Sequence, residues 1–380
     1  MKKTEIIIKY IREYFDENKV PLHRPLFKGN EKKYLNEVIE STYVSTSGQF
    51  INQSQNHLKK TTKANHVSTL VNGSSALQIA LQIAGVNSGD EVLTQAISFI
   101  ATSNAIINNG AYPVFLDSDI KYMSLSPESL QTFLNENTII KNRTCYNKFT
   151  KRKISACIPV HVFGFPAKID EIIFICDKFY IPVIEDAAES LGSFYKQQHT
   201  GTFGKAGIIS FNGNKIITSG SGGAILTNDK DFYTKTEHII SQSKLPHSYK
   251  YIHDNVGFNL KLPNLNAALL LAQLEKLEYF INEKRRTAKI FHSFFKEIGV
   301  EFVLEENNTR ANYWLYCLRF DNERESESFV KETNRLNLNT RPVWKILSDH
   351  KMNQNYLKDD LKNAKIIEKT IVNIPSSVKK

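Results

Sequence analysis

Lys215 stands in Ser210-Phe211-Asn212-Gly213-Asn214-Lys215-Ile216-Ile217-Thr218, between two apolar runs and just ahead of Gly220-Ser221-Gly222-Gly223. Apolar surroundings disfavour the charged form of an amine, and a neutral amine is the nucleophile that condenses with an aldehyde to a Schiff base. The alternative is a loop lysine whose stem packs on its neighbours, so the reading depends on what else the chain supplies. Ser210 offers a hydroxyl five residues upstream. Val71-Asn72-Gly73-Ser74-Ser75-Ala76-Leu77 reads as a strand end, a glycine turn and a helix start, where backbone N–H groups and the hydroxyls of Ser74 and Ser75 form a cup for a phosphate. Gly-Ser-Ser is also an ordinary helix cap.

Carboxylates follow a second apolar strand, Ile181-Pro182-Val183-Ile184-Glu185-Asp186-Ala187-Ala188-Glu189. A pyridoxal ring withdraws electrons well only while its nitrogen is protonated, and a nearby carboxylate raises the pKa of that nitrogen. Asp186 is the candidate for this partner. Glu189 could reach the ring's phenolic oxygen or the lysine itself; the alternative is that both acids cap or pair with the next helix. Phe99, between a strand and a helix, could lay its face on a flat cofactor ring, a contact worth about 1 kcal/mol, or belong to the core. His161, after the strand Ile154 to Val160, could touch cofactor or substrate, or be a buried structural histidine. The cofactor these types suit is pyridoxal 5'-phosphate.

Such groups need a scaffold that brings them to one rim. From about residue 67 to 230, short apolar strands alternate with helical patterns. The strands are Val67 to Val71, Glu91 to Gln95, Tyr112 to Leu116, Ile154 to Val160, Pro182 to Glu185, Gly207 to Phe211 and Ala224 to Thr227. The helices are Ser75 to Ala84, Ala101 to Asn108, Pro127 to Leu134 and Asp170 to Phe179. This predicts an α/β fold with a mostly parallel large-domain sheet covered by helices, whose ligand lies beyond the carboxyl ends of the strands. The first 60 residues read as helical and peripheral, with Gly29-Asn30-Glu31 opening a helix and Ser45 to Gly48 a loop. A long helical pattern, Leu265 to Phe295, reads as a spine. The division expected is 1–262, N-terminal helices and large cofactor-binding domain, and 263–380, linking helix and small C-terminal α+β domain.

With 380 residues, 41% hydrophobic and 23% charged, the chain can bury one large core and a smaller second one. Cys145, Cys157, Cys176 and Cys317 have no C-x-x-C spacing, so neither zinc nor a disulfide framework is expected and a reducing cytoplasm fits. Met1 to Phe15 has an amphipathic helical pattern rather than a signal-peptide core, and no apolar run is long enough for a bilayer. The net charge of +10 would favour a polyanion. It is dispersed, however, and its densest run, Lys148 to Lys153, has no nucleic-acid-binding motif beside it, so neither nucleic acid nor membrane is an expected partner. That run reads as a solvated hairpin tip or as a lobe near the diphosphate of a nucleotide sugar.

Taken in order, these residues resemble the sugar aminotransferases of the DegT/DnrJ/EryC1/StrS family, fold-type I pyridoxal-phosphate enzymes. The likeness runs from Val20-Pro21-Leu22-His23-Arg24-Pro25 through the Gly73, Pro159 to Gly164, Asp186 and Lys215 motifs. It continues through Gly257-Phe258-Asn259-Leu260-Lys261-Leu262-Pro263-Asn264 and Arg341-Pro342-Val343-Trp344. The resemblance implies that Lys215 carries the cofactor as a Schiff base, that Asp186 pairs with the pyridine nitrogen and that Phe99 stacks on the ring. Gly73, Ser74, Ser75 and Ser210 would hold the phosphate. A partner subunit would add an asparagine, here Asn259, which implies a homodimer with shared active sites. The family often has glutamine or histidine where this chain has Glu189, and members that act as dehydratases lack the lysine that is present here.

Within the family the likeness is to nucleotide-sugar 4-aminotransferases of legionaminic-acid and related bacterial surface-glycan pathways, carried by Gly29-Asn30-Glu31, Cys145 to Lys148, Phe211 to Thr218 and Asn373 to Val378. That implies a UDP-linked 4-keto-6-deoxy-N-acetylhexosamine as substrate and glutamate as amino donor. Two rivals remain. One is an aminotransferase for amino acids and keto acids, which needs an arginine clamp for a carboxylate, with Arg341 as candidate. The other is a non-catalytic binding protein that senses a phosphorylated ligand.

Overall fold

The computed structural model of the protein describes residues 3–379. The large sheet is built from β1 (His66–Leu70), β2 (Glu91–Gln95), β3 (Tyr112–Leu116), β4 (Ile154–Ile158), β5 (Ile184–Asp186), β6 (Ala206–Ser210) and β7 (Gly223–Thr227). β2 pairs in parallel with β3 and β4, and β5 with β6, while the bridges Cys157–Val183 and Val160–Asp186 carry the parallel run across from β4 to β5. β7 is antiparallel to both β6 and β1. The expected sheet is therefore present, with one strand reversed. A parallel neighbour needs a long crossover, whereas a chain that turns straight back pairs antiparallel. Here no helix separates β6 from β7: Phe211 donates to Gly222 O at 2.8 Å and Ser219 to Phe211 O at 3.1 Å. Lys215 rides on that return.

Successive residues of a strand face opposite sides, and the core divides accordingly. Val92, Ala156, Ile158 and Ile208 pack with Ala76, Leu77 and Ala80 of the helix Gly73–Ile83. Leu93, Cys157 and Val183 pack with Ile172 and Cys176 of the helix Ile169–Lys178. With both faces covered, β2 is buried at every position, and its polar side chains are satisfied inside: Thr94 Oγ1 donates to Ile158 O and Gln95 Nε2 to Ile97 O, both at 2.8 Å.

The C-terminal region forms an antiparallel sheet in the order Glu301–Phe302, Tyr316–Arg319, Ile371–Ile374, Arg341–Pro342. The helices Glu323–Arg335 and Lys362–Thr370 accompany it. The spine is two helices, Asn264–Leu274 and Leu277–Glu297. At the break, the Glu275 carboxylate accepts from Asn30 Nδ2 at 2.8 Å and Tyr34 OH at 2.7 Å, tying the first half to the N-terminal helices. The second half takes a different partner. Tyr10 of the helix Lys3–Phe15 stacks on Phe294 with centroids 3.6 Å apart, and Phe15 meets Phe291 edge-on. The first helix thus packs on the second half of the spine, its aromatic stripe meeting that of Leu277–Glu297.

The basic run is the tip of a second hairpin, as one of its two readings from sequence had it, closed by the antiparallel bridge Tyr146–Lys153 and by Asn147 N–H on Arg152 O at 2.9 Å. The tip of the hairpin Thr138–Lys141/Thr144–Asn147 is Asn142-Arg143, and Lys148 to Lys153 forms the following turn. Glu91 donates its N–H to Lys153 O at 2.7 Å, and the Arg152 guanidinium lies 3.7 Å from the Tyr112 ring centroid. Glu91 and Tyr112 open β2 and β3, so the run sits at the amino ends of the strands, opposite their carboxyl ends. Among the described residues no helix is long and apolar enough to cross a membrane.

Candidate active site

Beyond the carboxyl ends of the strands lies a cavity of about 330 Å³. One wall is the first turn of Gly73–Ile83, where Gly73 and Ser74 line the space opposite Ser210 at the end of β6. A Cβ on Gly73 would come within 3.0 Å of Ser210 Cβ and 3.3 Å of its Oγ, so glycine lets the two segments approach. Ser75 lies outside this wall. Its N–H donates to the capping Asn72 Oδ1 at 2.7 Å, and it is Asn72, not Ser75, that borders the cavity.

The acids come from β5 and the turn after it. Asp186 is buried, and its Oδ2 accepts from the Thr102 hydroxyl at 2.9 Å while Ser98 Oγ lies 2.8 Å from Thr102 Oγ1. Burial raises the Asp186 pKa, with the Thr102 and Ala188 hydrogen bonds and the Lys215 charge opposing it. Glu189 is buried too; its Oε2 accepts from Phe163 N–H at 2.8 Å and its Oε1 from Lys215 Nζ at 3.2 Å. Burial again raises the pKa, and the Lys215 charge offsets it.

Lys215 therefore does not have the purely apolar setting expected of it. Its amine meets a carboxylate on one side and, 3.9 Å from the ring centroid, the indole of Trp314. Phe99 is 54% exposed on the rim, its ring 6.4 Å from that of Trp344. Thr102, Trp314 and Trp344 line the cavity without having been singled out in the sequence. Trp344 stood in the quoted Arg341 to Trp344 motif, a signal that was available; Thr102 and Trp314 carried none.

His161 is corrected. It is fully buried, with Nδ1 accepting from Ala167 N–H at 3.0 Å and Nε2 lying 3.0 Å from Glu185 Oε2. An imidazole that accepts at Nδ1 carries its proton at Nε2, which makes it a donor to Glu185. Both nitrogens are spent and the ring does not border the cavity. Glu185 alternates with Asp186 to the other side of β5, where Gly201, Phe203 and Gly204 N–H groups also hold it. Asn259 is exposed, bridged to Ser241 and outside its own chain's cavity. Arg341 is exposed with its guanidinium on Asn334 Oδ1 at 2.8 Å, and no arginine is among the described residues lining the cavity.

The DegT/DnrJ/EryC1/StrS aminotransferase family matches residues 25–379. The chain is 36% identical over 333 residues to EpsN of Bacillus subtilis (strain 168), covering 87% of this chain and 82% of the relative. It is 33% identical over 325 residues to the GDP-perosamine synthase of Escherichia coli O157:H7, covering 86% and 84%. Its fold matches that of Helicobacter pylori PseC, an aminotransferase involved in the biosynthesis of pseudoaminic acid, with a TM-score of 0.84 at 21% identity over 94% of this chain and 93% of that one.

Proposed function

The chain belongs to the DegT/DnrJ/EryC1/StrS aminotransferase family, and from that premise we propose that it moves an amino group from glutamate to the 4-keto carbon of a nucleotide-linked sugar for bacterial surface-glycan biosynthesis. Pyridoxal 5'-phosphate is the cofactor. The observation that carries the reading is the Lys215 amine, 3.2 Å from a buried Glu189, in one cavity with Asp186 and the Gly73, Ser74 and Ser210 cup.

The residues present fit the cofactor. A Cβ at position 73 would crowd the Ser210 hydroxyl, so the cup keeps room for a phosphate. Asp186, held by Thr102, would pair with the ring nitrogen, and the cation opposite would offset the cost of its burial. Phe99 would cover the ring. Bound there, pyridoxal phosphate supplies the electron sink that acidifies the hydrogen on the donor's amine-bearing carbon. Lys215 Nζ would take that proton and deliver it to the cofactor's aldehyde carbon, across the nitrogen, so that water can release the donor as a keto acid, and would run the same transfer in reverse for the keto sugar. Glu189 Oε1 would hold the amine between transfers, with Trp344 beside Phe99 on the cavity wall.

We read the sugar as a UDP-linked 4-keto-6-deoxy-N-acetylhexosamine, on the subgroup likeness of the sequence. The relative named GDP-perosamine synthase brings a GDP-linked sugar into the same test. The assembly we propose is a homodimer with shared sites: Asn259 lies outside its own cavity, near the exposed Tyr249, Tyr251 and Val256 that a second copy would cover.

The test is a panel of UDP-, GDP- and dTDP-linked 4-keto sugars with glutamate, read by mass of the aminated product. Turnover of the UDP-N-acetyl sugar supports the full reading, and preference for a GDP sugar changes the nucleotide alone. Turnover of keto acids with none of the sugars overturns it. Reduction with borohydride should fix the cofactor's mass on Lys215, and a mark elsewhere would remove that residue from its role.

A further inference from the structure

Beyond the large sheet, the short segment Asn312-Tyr313-Trp314 of the C-terminal region reaches back to both members of the Lys215–Glu189 pair. Trp314 is 4% exposed, and its indole Nε1–H donates to Asn214 O at 2.7 Å, gripping the backbone one residue before Lys215. Its ring centroid lies 3.9 Å from Lys215 Nζ. Its own N–H donates to Asn312 Oδ1 at 2.8 Å, and Asn312 Nδ2 donates to Glu189 O and Leu191 O, both at 2.9 Å. Asn312 is fully buried, with its N–H on Ser193 Oγ at 2.9 Å. Between the two, Tyr313 holds φ at 52°, a left-handed conformation that an aromatic residue seldom adopts and that the surrounding contacts must enforce.

We propose that Asn312 and Trp314 form a clamp that positions the Lys215 amine, with Trp314 acting as a positioning residue that confines the amine between the indole face and the Glu189 carboxylate. A lysine amine ends a flexible four-carbon stem, so a wall on each side restricts where it can sit when it is not bonded to the cofactor. The indole supplies one wall by the attraction of its face for a cation, and Asn312 fixes the other by holding the backbone that carries Glu189. The clamp rests on the proposed reading of Lys215 as the reactive amine.

The first test uses cofactor-free protein. Limiting acetic anhydride labels amines, and peptide mass analysis gives the Lys215 rate relative to the exposed Lys9 in the same sample. Trp314→Leu should raise that ratio roughly two- to thirtyfold, the range that loss of a cation–aromatic contact of about 0.5–2 kcal/mol implies. Trp314→Phe, which keeps a ring face, should stay within about twofold of the parent. If the leucine variant fails to fold, Trp314→Met carries the same expectation. An unchanged ratio in the leucine or methionine variant overturns the clamp.

The second test uses the loaded enzyme with Lys215→Ala and ethylamine supplied as an external base. Adding Trp314→Leu, which removes the ring face, to that background should leave the rescued rate unchanged, since the tryptophan acts through the lysine; a further fall would show direct action on substrate or cofactor and overturn the positioning role. The labelling needs no cofactor, so a borohydride mark away from Lys215 would sink the proposed function while the labelling result stood by itself.

Discussion

Asp186 and Glu189 are buried carboxyls that the cofactor-free protein carries at a cost. Burial raises the Asp186 pKa above its ordinary 3.8, so the native state binds more protons than the unfolded chain as pH rises from that value, and stability falls across the window. Asp186→Asn should therefore raise the melting temperature of cofactor-free protein more at pH 8 than at pH 4, while turnover falls by about 10²-fold or more. Melts at both pH values with a rate assay check both halves, and a loss of stability at pH 8 would contradict the burial argument. His161 makes the opposite prediction. With both ring nitrogens engaged and Glu185 dependent on one of them, His161→Ala should destabilise by about 2–3 kcal/mol in a denaturant melt and leave KM for both substrates unchanged. A raised KM for the sugar would restore the contact expected from sequence. Lys215, Asp186, Gly73 and Ser210 were legible because local chemistry marks them: a strand end, a glycine turn, a five-residue step. His161, read from sequence towards the site, turns instead to Glu185, because position along a chain does not fix the direction of a side chain.

Elements with strong periodicity came through with little change. Glu91–Gln95, Tyr112–Leu116 and Ala101–Asn108 have the bounds that the sequence predicts. The spine did not, because the helical period continues across a break at Glu275 and Lys276, where Asn30 and Tyr34 hold the Glu275 carboxylate. Its second half, Leu277–Glu297, carries the fully buried Lys284, whose amine donates to the Ser376 carbonyl with the Tyr316 ring 5.3 Å away. Burial pushes the Lys284 pKa down to about 7 from 10.5. The unfolded chain then binds more protons between those values, so this residue's contribution to stability rises with pH across that interval. Lys284→Met should stabilise the protein by a few kcal/mol (order of magnitude) near pH 7, with the gain shrinking towards pH 10. Denaturant melts at pH 7 and pH 9.5 measure it, and an equal gain at both would mean that the methionine acts through packing alone.

On the scale of the whole molecule, the proposed shared-site dimer makes a quantitative prediction. Lys215→Ala and Asn259→Ala homodimers should each be poorly active. After mixing and subunit exchange, half the dimers are mixed, and each of those has one site with both defects and one with neither, so activity should return to about a quarter of the parent. No recovery after exchange demonstrated by mass would mean that Asn259 serves no neighbouring site. The sequence by itself determined the α/β class, the strands and helices, and the residues beside glycine turns and strand ends that come to line one cavity, because backbone hydrogen bonding and hydrophobic periodicity act over a few residues. Only the tertiary structure decided that β7 runs backwards, that the first helix lies on Leu277–Glu297, and that Asn312 and Trp314 grip the backbone at Glu189 and Asn214. Those contacts join segments far apart in the chain, and their partners are chosen by shape, burial and the need of each buried polar group for a hydrogen bond, which no local pattern records.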